Sequence, residues 1–289
     1  MVEVLCRSNC ELGESPVWHA ERRTFFWVDV EARTIFEYNW DRESVLRHQF
    51  DYRISVIIPA EKNKLVLGLQ GGAAKFDLLT KQLTWLPSPA VDWNNFRCND
   101  GGADVRGRLW ISTMELNHQE NSGAIYCVTN TGLITKEISN ISIPNGIVFS
   151  ADHKRMYYTD SVKAEIYAYL YDAETAAIQF EKVAVKIPAD LGLPDGMALD
   201  KEGMLWVALW GGYGVARFDL QTGQMVDFID IPVPHVTACC FAGAELDHMV
   251  ITTARSGLSE EELETYPESG NVFIVKTNVR GTSIHYADL

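Results

Sequence analysis

The chain has 289 residues, of which 47% are hydrophobic and 22% are charged, a composition typical of a globular protein with a core of its own. Its formal net charge is −14 and no run of Lys or Arg stands out, which argues against a nucleic-acid or anionic-membrane surface. No apolar run approaches the roughly 20 residues of a membrane helix, and the starting segment MVEVLCRSNCELGES lacks the charged and apolar blocks of a signal peptide. We therefore expect a cytoplasmic protein without nucleic-acid or membrane partners, whose six cysteines are reduced thiols.

Six short segments rich in β-forming residues recur along the chain, and each follows a polar turn and precedes a second alternating run. They are TFFWVDV (24–30), KLVLGLQ (64–70), RLWISTM (108–114), RMYYTDS (155–161), MLWVALW (204–210) and HMVITTA (248–254). Their equivalent residues, which we call the anchors, are Phe26, Val66, Trp110, Tyr157, Trp206 and Val250. Successive anchors are 40, 44, 47, 49 and 44 residues apart.

A polar turn, a strand, a gap and a second strand, repeated six times, predict an all-β, six-bladed β-propeller that forms a single domain over residues 1–289. We expect the ring to close through the N-terminal strand VEVLCRS, paired in the last blade after NVFIVKT. The segment LSEEELETY (258–266) is the one short helix candidate. Two stacked β-sandwiches would not explain a six-fold period.

Oxygen-bearing side chains fall at one repeated position, eleven or twelve residues before an anchor. They are Glu14, Asn99, Asn145 and Asp195, and the other two repeats offer Ile54 or Ser55 and Thr237 or Ala238. Equivalent positions of a propeller lie around its central channel, so two carboxylates and two amides would converge there on an all-oxygen cation site. The alternative is structural: Asn-Gly and Asp-Gly are common turn signals, and Glu14 could cap a strand end.

Four motifs make the whole chain resemble the SMP-30/gluconolactonase/regucalcin-like family: LGESPVW (12–18), RCNDGGADVRGRLWISTM (97–114), PNGIVFS (144–150) and LPDGMALDKEGMLWVALWGG (193–212). The closing segment TTARSGLSEEELETYPESGNVF is more similar to the bacterial sugar lactonases of that family. The resemblance implies a divalent metal on the channel axis, with Glu14, Asn145 and Asp195 as ligands. It also implies that Arg97 and Asn99 bind the sugar.

Asn117 stands where the better-studied animal members of the family have an acidic residue, so its role as a substrate contact could pass to Glu115 or His118. The metal is left open among Ca²⁺, Mg²⁺, Mn²⁺, Zn²⁺ and Fe²⁺, since oxygen ligands favour the first three and three-ligand sites also accept the last two.

The resemblance implies a metal-dependent hydrolase that opens a small-molecule sugar lactone to the aldonic acid, and we expect it to be a monomer. Asp195 is the candidate general base and Asp100 the alternative, while Arg97 and Asn99 would orient the substrate. A phosphotriesterase or paraoxonase-like hydrolase and a non-enzymatic calcium-binding propeller are the rival functions. The chain has no GxSxG elbow, which disfavours a serine esterase, and no HxH or HExxH spacing, which disfavours a histidine-rich zinc site. We expect His235 to be structural, although it could face the channel.

Overall fold

In a computed structural model that describes residues 1–289, twenty-four strands form six four-stranded antiparallel sheets. The chain begins with β1 (Glu3–Cys6). The first sheet is then β2 (Gly13–His19), β3 (Thr24–Asp29), β4 (Thr34–Asn39) and β5 (Ser44–Gln49), and the second is β6 (Ile54–Pro59), β7 (Lys64–Leu69), β8 (Gly72–Asp77) and β9 (Leu83–Trp85). The third is β10 (Phe96–Ala103), β11 (Leu109–Glu115), β12 (Gly123–Val128) and β13 (Ile134–Ile141), and the fourth is β14 (Pro144–Phe149), β15 (Arg155–Asp160), β16 (Glu165–Tyr171) and β17 (Ile178–Lys186). The fifth is β18 (Leu193–Leu199), β19 (Leu205–Trp210), β20 (Gly214–Phe218) and β21 (Met225–Asp230), and the sixth contains β22 (Val236–Ala242), β23 (His248–Thr253) and β24 (Val272–Lys276).

The six sheets are arranged in a ring, and the predicted six-bladed propeller is confirmed. The first strands of the sheets line its centre: β2, β6, β10, β14, β18 and β22 each contact the next, and β22 contacts β2. The N-terminal strand β1 pairs antiparallel with β24 as the fourth strand of the sixth sheet. The first and last strands of the chain therefore share one blade.

The hydrophobic core is divided into six clusters, each between two neighbouring sheets. Strand β3 shows how one strand serves two clusters. Phe25 and Trp27 point toward the sixth sheet, whereas Phe26 and Val28 point toward the second. Because successive side chains of a strand point to opposite faces, such a strand must be apolar along its whole length. Fully burying a side chain of this size contributes about 1.5–3 kcal/mol.

Helical structure is confined to short segments. The predicted helix is present as α1 (Glu260–Thr265), where Ser259 and Glu262 form a reciprocal capping box. Two 3₁₀ turns cover Ala20–Arg22 and Ala189–Leu191. None of these segments has the length and apolar character needed to span a membrane.

The last residues of the chain cross one end of the channel. Backbone hydrogen bonds tie Thr282 to Leu199 of the fifth sheet and Ala287 to Pro59 of the second. A cavity of about 540 Å³ fills the channel from residues 282–286 up to Glu14 and Asp100. These two carboxylates therefore mark the inner end of the cavity.

Candidate functional site

Every innermost strand has a β-bulge or irregularity at the repeated position that carries the candidate ligands. In all six blades the anchor pairs with the residue that lies three positions after the repeated position. Phe26, for example, pairs with Val17, and Tyr157 pairs with Val148. The same register in the second and sixth blades places Ser55 and Thr237, and not their neighbours, at the repeated position. We call the six residues the inner ring: Glu14, Ser55, Asn99, Asn145, Asp195 and Thr237.

The Asn-Gly and Asp-Gly pairs of the inner ring lie inside strands β14 and β18 and not in surface turns. Gly146 has φ +57°, and a Cβ there would lie 2.6 Å from the side chain of Met197. A Cβ on Gly196 would lie 2.5 Å from the Cβ of Ala238. Each glycine is therefore required by the close approach of the next blade.

Three acidic side chains from three blades lie within electrostatic range of one another near the channel axis. Burial, followed by repulsion from Asp100, raises the pKa of Glu14 to about 8. Burial also raises the pKa of Asp100 to about 6, although the backbone N–H groups of Gly101 and Gly146 donate to its carboxylate. Burial, Glu14 and Asp100 together raise the pKa of Asp195 well above its ordinary value. Mutual repulsion between two half-buried carboxylates and one buried carboxylate indicates that their negative charges act on one another.

A chain of hydrogen bonds joins the candidate substrate contacts to the candidate ligand Asn145. Arg97 Nη1 donates to Asn99 Oδ1 over 2.6 Å, and Asn99 Nδ2 donates to Asn145 Oδ1 over 2.9 Å. Asn145 Nδ2 in turn donates to Ser161 Oγ over 2.9 Å. Burial lowers the pKa of Arg97, against the attraction of Glu14, so this guanidinium is enclosed and lies within electrostatic range of that carboxylate.

The donor chemistry of the inner ring fits a divalent cation. Glu14 and Asp195 are acidic groups in the interior of the ring, and neither takes part in any of the ion pairs of the structure. Desolvated carboxylates without a counter-ion are costly, and oxygen ligands of this kind suit hard cations. No three His, Cys, Asp or Glu side chains form a metal-binding cluster by themselves, so a site here depends on the amide oxygen of Asn145.

Asn117 lies apart from this network, in an exposed turn that follows β11. Its backbone N–H and its side-chain amide both donate to the buried carboxylate of Glu115, which also accepts the N–H of Gln119. Glu115 is thus occupied in holding its own turn, and His118 is exposed with a left-handed φ of +61°. None of the three is hydrogen-bonded to Arg97 or Asn99.

His235 stacks on Trp210 with ring centroids 4.0 Å apart, and its Nδ1 donates to the carbonyl oxygen of Ser256 over 3.0 Å. The Trp210–His235 pair closes the edge between the fifth and sixth blades, and the two residues also form an isolated β-bridge. These contacts agree with the structural role that the sequence predicted for His235.

Three inner-ring residues that are not candidate ligands join neighbouring blades. Thr237 Oγ1 donates to the carbonyl oxygen of Gly13 over 2.6 Å, and Asn99 Nδ2 donates to that of Pro144 over 2.8 Å. Ser55 Oγ donates in the same way to the carbonyl oxygen of Cys98. In each case the acceptor immediately precedes the inner-ring residue of the next blade. Ser161 and this pattern of bonds were not predicted from the sequence, because both depend on how strands and blades are paired.

The fold and the site together define a six-bladed propeller with an inner ring rich in oxygen donors. The sequence matches the SMP-30/gluconolactonase/LRE-like region over residues 12–255, so the chain belongs to that family and the predicted resemblance is confirmed. It is 31% identical to regucalcin of Sus scrofa over 286 residues, which are 97% of this chain and 96% of that protein.

Two solved structures are similar over almost the whole chain. A calcium-binding protein, regucalcin, from Agrobacterium tumefaciens has a TM-score of 0.94 and 28% identity, with 99% of this chain and 97% of that chain covered. A luciferin-regenerating enzyme also has a TM-score of 0.94 and 28% identity, with 100% and 99% of the two chains covered.

Proposed function

We propose that the protein is a metal-dependent hydrolase that opens a sugar lactone to the aldonic acid. The observation that carries the proposal is the convergence of Glu14, Asp100 and Asp195 beside the enclosed Arg97–Asn99 pair. The name of the family to which the chain belongs includes gluconolactonase, and this supports lactone hydrolysis as the reaction. We further propose that the protein acts as a monomer in the cytoplasm on a small-molecule substrate, without nucleic-acid or membrane partners.

Glu14, Asn145 and Asp195 would hold the divalent ion, because each is an inner-ring residue with a side-chain oxygen. The Asn145 oxygen accepts one hydrogen bond from Asn99 Nδ2 and keeps a second lone pair for the ion. The chemistry that such an ion supplies when bound is polarisation of the ester carbonyl and stabilisation of the oxyanion. The relative described as a calcium-binding protein supports Ca²⁺ as the first candidate, and Mg²⁺, Mn²⁺, Zn²⁺ and Fe²⁺ are the alternatives.

Arg97 and Asn99 would orient the sugar ring, and Asn117 would contact a more distant hydroxyl at the rim of the site. A guanidinium and a side-chain amide offer several directed donors and one acceptor, which suits hydroxyl groups and a ring ester. Arg97 lies within hydrogen-bond distance of Asn99, so a substrate would meet the two groups as one surface.

Asp195 is the proposed general base, since no side chain of the structure donates a hydrogen bond to its carboxylate or forms an ion pair with it. It would take a proton from the water that adds to the ester carbon, and the ring oxygen would receive a proton as the C–O bond breaks. Asp100 is the alternative base. Its two backbone N–H donors favour a structural role, which is why we place it second.

A non-enzymatic calcium-binding propeller is the second candidate function, favoured by the description of the Agrobacterium tumefaciens relative. A phosphotriesterase or paraoxonase-like activity is a third, and it would be shown by turnover of organophosphates above that of aldonolactones. The three proposals share the metal site and differ in the reaction that follows.

The test is a rate panel of five- and six-membered aldonolactones and of organophosphates, with protein stripped by a chelator and reloaded with one metal at a time. We expect lactone opening only in reloaded protein, and a loss of about 10²–10⁴-fold in Asp195→Ala, the range for a general base. Asp227→Asn, which changes an exposed carboxylate on the outer strand of the same sheet, is the matched control. Lactone turnover that survives chelation, or an Asp195→Ala variant with wild-type rates, would refute the proposal.

A further inference from the structure

The orientation of one side-chain amide decides whether Asn145 can serve as a metal ligand. An asparagine amide has an acceptor oxygen on one side and a donor NH₂ group on the other, and only the oxygen can bind a cation. Asn145 is buried, with 7% of its surface exposed, so water cannot freely compensate a reversed amide. The surrounding protein must therefore select the orientation.

Arg97 selects the orientation from one side, through Asn99. A guanidinium can only donate, so the group of Asn99 that faces Arg97 must be its oxygen, at 2.6 Å. The NH₂ group of Asn99 is then directed at two acceptors, the carbonyl oxygen of Pro144 and Oδ1 of Asn145. A reversed Asn99 would place its NH₂ group against the guanidinium and its oxygen against a carbonyl oxygen.

Ser161 selects the same orientation from the other side. It follows β15, the strand paired with β14, and its hydroxyl oxygen accepts the NH₂ group of Asn145 at 2.9 Å. Ser161 is itself held in place, since its N–H donates to the carbonyl oxygen of Ile143 and only 5% of its surface is exposed. The Asn145 oxygen is thus turned away from Ser161 and toward the side of the inner ring that carries Asn99.

We propose that Ser161 is a positioning residue that, together with Asn99, orients the Asn145 amide so that its oxygen is available to a metal ion in the inner ring. This inference rests on the proposed metal site. It also makes the candidate substrate contact Arg97 the start of a hydrogen-bonded path to a candidate metal ligand. Replacing Ser161 leaves the charge of the site unchanged, so a change in metal affinity would report on the amide and not on electrostatics.

The test is the dissociation constant of the metal in the absence of substrate, measured by titration calorimetry on stripped protein with Ca²⁺, Mg²⁺, Mn²⁺ and Zn²⁺. Ser161→Ala removes the acceptor and should weaken binding about 10-fold, the lower end of the range for residues that support a ligand. Ser161→Thr keeps the hydroxyl and should restore most of the affinity. Ser142→Ala is the matched control, because this buried serine lies three residues from Asn145 and accepts only the N–H of Asn121.

Asn99→Ser tests the other side of the amide and guards against a Ser161 variant that fails to fold. A serine at this position can keep the bond to the next blade, as Ser55 does, but cannot also donate to Asn145. We expect Asn99→Ser to weaken metal binding as well, with an unchanged melting temperature of the stripped protein.

The outcomes separate this inference from the proposed function. Wild-type affinity in Ser161→Ala and Asn99→Ser, or an equal loss in Ser142→Ala, would overturn the positioning role while leaving the metal site intact. Absence of binding in the wild-type protein for all four ions would overturn the metal site itself. Weak binding in the two variants and normal binding in Ser161→Thr would support the inference.

Discussion

Replacing Glu14 by glutamine should stabilise the metal-free protein and, at the same time, remove its response to metal. Glutamine has nearly the same shape as glutamate and can still accept the N–H of Ser15, which bonds to Glu14 at 3.0 Å. It carries no charge, so it resembles the protonated form of Glu14. The variant therefore isolates what ionisation of this carboxyl does to the fold.

The size of the effect follows from the pKa of Glu14, which burial and Asp100 raise from 4.5 to about 8. A group whose pKa is raised on folding binds more protons in the folded state, so wild-type stability falls as the pH rises from about 4.5 toward 8. From pH 4.5, the ordinary pKa of a glutamate, to pH 7 is about 2.5 pH units, and each unit corresponds to about 1.4 kcal/mol. The wild-type protein should therefore lose about 3 kcal/mol of stability over this range. Because Glu14 is half-buried rather than fully enclosed, we expect a gain of about 1–3 kcal/mol.

The assay is thermal and urea unfolding of stripped Glu14→Gln and wild-type protein between pH 4.5 and pH 8, with Glu11→Gln, an exposed neighbour, as the control. The stability difference should be near zero at the acid end and grow with pH, and the melting temperature near pH 7 should rise by a few degrees. Wild-type protein at 100 times its dissociation constant for the metal should gain about 2.7 kcal/mol, and the variant should gain little. A variant that is less stable than wild type at pH 7, or a difference that does not change with pH, would refute this reasoning.

Two further predictions concern hydrogen bonds far from and within the inner ring. Burial alone would raise the pKa of Glu37, but hydrogen bonds from His48 and Arg22 outweigh the effect of burial and hold the pKa below its ordinary value. These bonds therefore stabilise the fold above about pH 4.5, and their contribution is lost as the pH falls. Glu37→Gln should therefore lower the free energy of unfolding in urea by about 1.5–3 kcal/mol at pH 7 and by clearly less at pH 4, whereas an equal loss at both values would contradict the assignment. Thr237→Val removes the hydroxyl that bonds to the carbonyl oxygen of Gly13 and to the hydroxyl of Thr252, and it should cost about 1–3 kcal/mol in the same assay. Thr237→Ser keeps the hydroxyl and should cost little; similar losses in both variants would show that the hydroxyl is not the cause.

The repeat was readable in the sequence because each second strand of a blade is packed on both faces. Anchors such as Phe26 and Trp110 are completely buried, so their strands are apolar throughout and stand out against the polar turns before them. The four oxygen-bearing positions could be aligned from these anchors for the same reason. The count of blades therefore depends on packing that leaves a direct trace in composition.

The rest of the site could not be predicted, because it depends on register and on contacts between blades. A shift of one residue exchanges the two faces of a strand, so Ser55 could be separated from Ile54 only once the pairing of β6 with β7 was known. Ser161 lies sixteen residues from Asn145 in the sequence, and the pairing of β14 with β15 brings the two residues into contact. Its segment, RMYYTDS, carries no motif that would mark the serine.

The inner ring divides its six equivalent positions between two kinds of work. Ser55, Asn99 and Thr237 each donate a hydrogen bond to a backbone carbonyl of the following blade, whereas Glu14 and Asp195 make no side-chain hydrogen bond to another blade. Asn145 accepts a hydrogen bond from Asn99 of the preceding blade. The symmetric architecture thus uses three of its six equivalent positions to join blades, and one of these, Asn99, is also a candidate substrate contact. New ligand sets on this scaffold are consequently easiest to reach at Glu14 and Asp195, in the first and fifth blades, because a substitution there removes no side-chain hydrogen bond between blades.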